Sequence, residues 1–195
     1  MNLPNKLTIS RILLSPVFMV LILVDSLYSM YFATLVFVLA ALTDLYDGYL
    51  ARKTGVVTGF GKFMDPLADK ILTSTAFVSF VALGYVKAWM ILTIIVREFL
   101  VTGLRTLAAY RGIVIMPTFL AQVKTTSQMV VIFIILLYTN LDMTLVSMGH
   151  NPGLFEQHVV LKVFDGMVFI SMVLTVLTGL DYLVKSATIL KGVLR

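Results

Sequence analysis

Hydrophobic and polar positions fall into long alternating blocks along the chain. Six uncharged runs are separated by shorter segments that carry most of the charged residues: 12–24, 26–43, 71–86, 88–96, 125–141 and 166–180. With their flanks, several runs approach the roughly 20 residues that a helix needs to cross a bilayer. The pattern predicts an all-α integral membrane protein with six transmembrane helices in a single domain, 1–195.

The connections between the runs also have distinct sequences. The opening MNLPNKLTISRILLSPVF mixes polar and apolar residues, which predicts a short N-terminal interfacial helix before a first span kinked at Pro16. Glycines at 55, 59 and 61 predict a turn before span three, which should start near Asp65 with Pro66 in its first turn. The polar stretch 139–158 is the longest expected connection, on the outer side.

Composition supports a membrane environment. The chain is 59% hydrophobic with a mean hydropathy of +1.00, and only 13% of residues are charged, against roughly 25% in soluble proteins. A soluble protein with unusually buried helices is the alternative. A cleaved signal peptide is a poor explanation, because the apolar runs continue to the C-terminus. The absence of cysteine excludes disulfides and thiolate metal sites.

Basic residues predict the orientation. Lys and Arg concentrate at the N-terminus, between spans two and three, between spans four and five, and after span six, and such segments stay cytoplasmic. Only Lys87 and Lys162 fall toward the other side. Both termini are therefore expected on the cytoplasmic side of the cell membrane, and the net charge of +5 fits topology and anionic lipid without a nucleic-acid partner.

Acidic residues cluster in a way that this topology does not require. Four of the ten acidic residues lie within positions 44–69. Asp44 and Asp47 would share one helix face with Gly48, and Asp65 and Asp69 would share a face of the next helix. A turn between the helices would let the two faces meet.

Clustered carboxylates near a membrane need cations. One Asp at a helix centre costs about 2.5–3.5 kcal/mol, and repulsion adds to that. Hard divalent ions prefer oxygen ligands, and paired ions suit in-line phosphoryl displacement. The cluster thus predicts two Mg²⁺ ions, or Mn²⁺, bound near phosphate. Taken separately, each Asp pair could instead cap a helix or pair with Arg52 and Lys53.

The spacing of these residues carries a family resemblance. DLYDGYLAR at 44–52, eight further residues, and GKFMDPLAD at 61–69 resemble the signature of the CDP-alcohol phosphatidyltransferases. The resemblance implies six-helix membrane homodimers that transfer a phosphatidyl group from a CDP-linked donor to an alcohol and release CMP. It implies the following roles: Asp44, Asp47, Asp65 and Asp69 as metal ligands, Asp69 also as general base, and Gly48, Arg52, Thr58 and Gly61 at the CDP-diacylglycerol.

The acceptor alcohol has to be inferred from other segments. REFLVTGLRTLAAYRG at 97–112 and Lys124 place cations in the cytoplasmic half of the bundle, as a phosphate-bearing acceptor would require. These cations could also snorkel to headgroups. With the N-terminal segment they resemble the family branch that makes phosphatidylglycerophosphate, although Ala121 and Gln122 depart from a Gly-Lys pair often found there. The candidates are Arg97, Arg105, Arg111, Lys124 and Arg11 for acceptor phosphate, with Thr8 at the donor.

The sequence therefore predicts transfer of phosphatidyl from CDP-diacylglycerol to sn-glycerol 3-phosphate. Another acceptor is the nearest alternative: phosphatidylglycerol, which would give cardiolipin, or an inositol species. A neutral acceptor would not need the Arg97, Arg105 and Arg111 group. A cation-coupled secondary transporter also places charges in the membrane, but the acids lie in one corner, without the second copy typical of transporter repeats.

Overall fold

The protein is described by a computed structural model. It describes residues 3–54, 59–110, 119–149 and 156–193, with side chains for 7–43, 64, 66–109, 119–149 and 156–184. These residues form α-helices joined by turns, and no strand occurs among them. The all-α prediction is confirmed. The helices are α1 (Leu3–Leu23), α2 (Leu27–Thr54), α3 (Gly59–Ala82), α4 (Ala88–Tyr110), α5 (Phe119–Ser147) and α6 (Gln157–Val193).

The helices pack as two layers that share one core. α1 packs against α2 and α3, while α6 packs against α4 and α5, and further contacts join α3 to α4 and α2 to α5. The core contains Phe18, Phe37, Phe77, Phe80 and Ile132, each almost completely buried. α4 and α6 run in the same direction, since Lys87 pairs with Asp165 and, farther along both segments, Arg97 bonds to Thr178.

Within the part of the chain that the structure describes, two helices are long and apolar enough to cross a membrane by length and composition. They are Phe119–Ser147 and Gln157–Val184, each with a window of mean hydropathy 2.1. Only 28% and 33% of those windows are buried inside the protein, so most of their apolar surface faces outward. Shorter apolar helices cover Leu7–Leu23 and Leu27–Thr43 within the described residues.

The N-terminal segment forms one continuous helix from Leu3 to Leu23 that passes through Pro16. An interfacial position of its first turns stays a prediction. Its polar residues fit that helix because Ser10 Oγ and Ser15 Oγ donate hydrogen bonds to carbonyls of the preceding turn, at 2.7 and 2.9 Å.

The predicted start of span three was wrong. α3 begins at Gly59, so Gly59 and Gly61 are helical and Pro66 lies inside the helix rather than in its first turn. Gly55 lies outside the described residues.

The predicted outer connection was too long. Residues 139–147 continue α5, because their polar side chains bond within the helix: Thr139 Oγ1 to the Ile135 carbonyl at 3.0 Å and Thr144 Oγ1 to the Asn140 carbonyl at 2.6 Å. Asn140 Nδ2 also donates to Thr34 Oγ1 on α2 at 2.7 Å. The polar composition of residues 139–147 therefore does not indicate a loop.

Candidate active site

The four predicted metal-binding aspartates lie on two consecutive helices. Asp44 and Asp47 fall in the last three turns of α2, and Asp65 and Asp69 in the first three turns of α3. The side chains of Asp44, Asp47 and Asp65 lie outside the described residues, so their convergence stays a prediction. Asp69 is described and lies at the edge of a buried polar cluster.

Asp69 is joined to this cluster through its neighbour in sequence. Lys70 Nζ donates to Asp69 Oδ2 at 2.9 Å and lies 3.5 Å from Glu98 Oε2 on α4. The Lys70 side chain is 12% exposed and that of Glu98 only 5%. One ammonium group thus bridges the predicted base on α3 and a buried carboxylate on α4.

Glu98 lies at the centre of the cluster. Its Oε1 accepts hydrogen bonds from Lys124 Nζ, from Arg97 Nη1 at 3.4 Å, and from Gln128 Nε2 at 3.3 Å. Gln128 Nε2 also donates to Thr175 Oγ1 on α6 at 3.1 Å. We call Asp69, Lys70, Arg97, Glu98, Lys124 and Gln128 the Glu98 cluster.

The cluster brings together two of the predicted acceptor-phosphate residues. Arg97 and Lys124, which are 27 positions apart in the sequence, contact the same carboxylate oxygen. Three cations face two carboxylates in the cluster, which leaves a formal charge of +1. Buried charges require such pairing, because removal of one partner leaves the other uncompensated at a cost of about 3–5 kcal/mol.

Arg97 is held from α6 as well as by Glu98. Its Nη2 donates to Thr178 Oγ1 at 2.7 Å, and its Nε and Cγ pack against Gly179, where a Cβ atom would lie 2.7 and 3.1 Å away. Both α6 residues are buried. An open and largely apolar groove of about 590 Å³ between α4 and α6 reaches Arg97 and Gly179.

The remaining predicted residues are distributed differently. Thr8 and Arg11 are buried on α1, which packs against α2 and α3. Arg105 is exposed on α4, eight residues beyond Arg97 and therefore about 12 Å farther along the helix axis. Arg105 is thus not brought into the Glu98 cluster.

Other predicted residues cannot be assigned a contact. Thr58 and Arg111 lie outside the described residues. Gly48 and Arg52 are helical positions of α2, and Gly61 is a helical position of α3, with side chains outside the description. Their proposed contacts with the donor remain predictions.

Sequence reasoning did not assign Lys70, Glu98, Gln128, Thr175 or Thr178 to the site. The sequence does contain a signal for these residues. Lys124 and Gln128 are four positions apart, and Thr175 and Thr178 are three positions apart, so each pair lies on one face of an otherwise apolar helix. Polar residues that share one face of an apolar helix must find partners in the bundle. The sequence alone does not show which helix supplies them.

The donor set of the predicted metal site fits a hard divalent ion. Asp44, Asp47, Asp65 and Asp69 would supply only carboxylate oxygens, which Mg²⁺ prefers. Among the side chains that the structure describes, no group of three or more His, Cys, Asp or Glu could hold a metal ion. Three of the four predicted ligands are not among those side chains, and the support for the site is its donor chemistry and the position of the ligands on α2 and α3.

Comparison with known proteins decides the family. The family model for CDP-alcohol phosphatidyltransferase matches residues 1–177. The chain belongs to this family. The match includes both aspartate pairs and the whole Glu98 cluster.

Relatives of known name cover nearly the whole chain. A Bacillus subtilis (strain 168) protein named CDP-diacylglycerol–glycerol-3-phosphate 3-phosphatidyltransferase is 38% identical, with 97% of each chain covered. Proteins of the same name from Rickettsia typhi and Shigella flexneri serotype 5b are 35% and 34% identical, each over 93% of this chain. This member of the CDP-alcohol phosphatidyltransferase family therefore resembles bacterial transferases along its length.

Proposed function

We propose that this protein transfers the phosphatidyl group of CDP-diacylglycerol to sn-glycerol 3-phosphate and forms phosphatidylglycerophosphate and CMP. The names of its relatives specify this donor and this acceptor. The structural observation that supports the proposal is a continuous series of ion pairs. It runs from Asp69 through Lys70 and Glu98 to Arg97 and Lys124. The predicted base and two predicted phosphate ligands thus belong to one cluster.

The acceptor is held by its phosphate. Glycerol 3-phosphate carries a dianionic monoester, for which Arg and Lys donors are the appropriate partners. Arg97 and Lys124 provide these donors on α4 and α5, and Glu98 and Thr178 restrict their positions. The acceptor thereby loses its freedom of orientation before reaction, which lowers the barrier.

The reaction is an in-line displacement at the phosphorus that carries diacylglycerol. The primary hydroxyl oxygen of the acceptor forms a bond to this phosphorus, and the bond to the CMP oxygen breaks. Asp69 accepts the hydroxyl proton, and CMP leaves with the electron pair. Two Mg²⁺ ions bound by Asp44, Asp47, Asp65 and Asp69 would neutralise charge on the pyrophosphate. Arg52 adds a further cation near the donor, with Gly48, Thr58, Gly61 and Thr8 lining its site.

The membrane arrangement is part of the same proposal. All six helices cross the cell membrane, with both termini and the active site on the cytoplasmic side, and the enzyme is a homodimer as the family resemblance implies. The outward-facing apolar surface of α5 and α6 supports burial in lipid. Accessibility of single introduced cysteines at residues 87 and 105, both exposed positions, tests the topology, and chemical cross-linking in native membranes tests the dimer.

A screen of acceptors tests the function. Purified protein with CDP-diacylglycerol and Mg²⁺ is offered glycerol 3-phosphate, phosphatidylglycerol or inositol, and CMP and the lipid product are measured. CMP release with glycerol 3-phosphate alone is the expected result. Transfer only to phosphatidylglycerol or inositol would overturn the acceptor assignment, and solute counterflow in proteoliposomes without CMP formation would favour a transporter.

A further inference from the structure

Glu98 occupies a position that the reaction itself does not explain. It is only 4% exposed, and its carboxylate contacts cations from three helices: Lys70 of α3, Arg97 of α4 itself and Lys124 of α5. Through Gln128 and Thr175 the same network reaches α6. One carboxylate therefore ties together the side chains of four helices.

A carboxylate among phosphate-binding cations can have two opposite effects. As a counterion it lowers the positive potential and competes with the acceptor phosphate. As an anchor it holds flexible Lys and Arg side chains in one arrangement, so that less conformational entropy is lost when phosphate binds. The two effects predict opposite changes in acceptor affinity when the charge of Glu98 is removed.

The geometry favours the anchor. The two carboxylate oxygens are used separately, with Oε2 toward Lys70 and Oε1 toward Arg97, Lys124 and Gln128. Gln128 is itself fixed by Thr175 at 3.1 Å, which restricts the position of Glu98. Lys124 still has donor capacity for phosphate, because an ammonium group carries three N–H donors.

We propose that Glu98 is a positioning residue for the acceptor site: its buried carboxylate orders Arg97 and Lys124 for the acceptor phosphate and holds Lys70 beside Asp69. This role rests on the proposed function, in which Arg97 and Lys124 bind glycerol 3-phosphate. Glu98 does not contact the reacting atoms.

The test measures binding of glycerol 3-phosphate without donor. Wild type, Glu98→Gln and Glu98→Asp are purified in detergent, and binding of radiolabelled glycerol 3-phosphate is followed by equilibrium dialysis. Glu98→Gln keeps the side-chain volume but raises the formal charge of the cluster. If Glu98 is an anchor, binding nevertheless weakens by roughly tenfold or more, as expected for loss of hydrogen bonds to charged groups.

Two controls separate positioning from general destabilisation. Asp165→Asn removes a carboxylate that pairs with Lys87 at the opposite end of the bundle, at 3.4 Å, and should leave acceptor binding unchanged. Glu98→Asp keeps the charge and should restore part of the affinity. Thermal unfolding of each variant identifies a protein that has lost its fold. If Glu98→Gln does not fold, binding by Glu98→Asp is compared with binding by wild type instead.

The outcomes also separate this inference from the proposed function. Unchanged or tighter binding by folded Glu98→Gln, with normal binding by wild type, would overturn the positioning role and identify Glu98 as a competing counterion. Absence of glycerol 3-phosphate binding and turnover in wild type would instead overturn the proposed function. A rise in KM for glycerol 3-phosphate in Glu98→Gln that exceeds the fall in kcat would support positioning.

Discussion

Gly179 offers the sharpest test of the contact between α4 and α6. A methyl group at this position would lie 2.7 Å from Arg97 Nε, closer than real Cβ atoms approach, and 3.1 Å from its Cγ, tighter than most real Cβ contacts. In Gly179→Ala the Arg97 side chain must therefore move away from α6. This movement separates Arg97 Nη2 from Thr178 Oγ1, now 2.7 Å apart, and disturbs the contact with Glu98.

The size of the effect follows from the bonds that are lost. Hydrogen bonds to charged groups contribute about 1.5–3 kcal/mol, and each 1.4 kcal/mol corresponds to about a factor of ten in affinity. We expect Gly179→Ala to raise the KM for glycerol 3-phosphate by about 10- to 100-fold. The KM for CDP-diacylglycerol should change far less, because the predicted donor residues lie on α1, α2 and α3 and in the connection between α2 and α3.

Gly166 provides a matched control on the same helix. A methyl group there would meet no atom within 4 Å, so Gly166→Ala changes only the helix propensity of α6. Alanine is favoured over glycine in a helix by about 0.5–1 kcal/mol, so this variant should be slightly stabilised with normal kinetics. Initial rates of CMP release at varied acceptor, with thermal unfolding in detergent, compare the two variants.

Equal kinetics in Gly179→Ala and Gly166→Ala would contradict a role of the Arg97–Gly179 contact in acceptor binding. It would mean that Arg97 adapts to the added methyl group without loss, or that its contacts with Thr178 and Glu98 do not matter to the acceptor. A rise in both substrate KM values together would also contradict it, because it would indicate a general distortion of the bundle.

Three further predictions concern the proposed chemistry. Asp69→Asn should abolish transfer while the unfolding temperature stays near that of wild type, because Lys70 retains Glu98 as a partner; near-normal CMP release would remove Asp69 from the role of base. Lys124→Met should raise the KM for glycerol 3-phosphate by roughly tenfold or more, and an unchanged KM in steady-state assays would show that Lys124 serves only to neutralise Glu98. Removal of divalent ions by EDTA should stop CMP release and added Mg²⁺ or Mn²⁺ should restore it; full activity after dialysis against the chelator would contradict the metal assignment.

Local features of the chain predicted the helices well. The apolar runs lie largely within helices, in which the backbone hydrogen bonds are satisfied inside the segment. The sequence also placed Asp44 and Asp47 on one helix and Asp65 and Asp69 on the next, as found. The boundaries were less predictable, since Thr139 and Thr144 bond to helix carbonyls and extend α5 where polar composition favoured a loop.

The site was only partly predictable. Arg97 and Lys124 were expected to bind the same phosphate, and they do meet, but at a shared carboxylate. Arg105 was expected beside them as a further cation of the cytoplasmic half. It is instead exposed on α4, eight residues beyond Arg97. Spacing within a helix gives the position of a residue along that helix, whereas only packing shows which residues face a neighbouring helix.

The all-α class, the family signature and the placement of the acids on two consecutive helices could be predicted from the sequence, because these features depend on patterns within short segments. The tertiary structure decided that Glu98 gathers Lys70, Arg97 and Lys124, that Gln128 connects this group to α6, and that Gly179 leaves room for Arg97. Those contacts join residues up to 82 positions apart. They exist because the packing of α3, α4, α5 and α6 brings polar residues from all four helices to one buried place in the bundle. A buried charge there requires a partner of opposite charge.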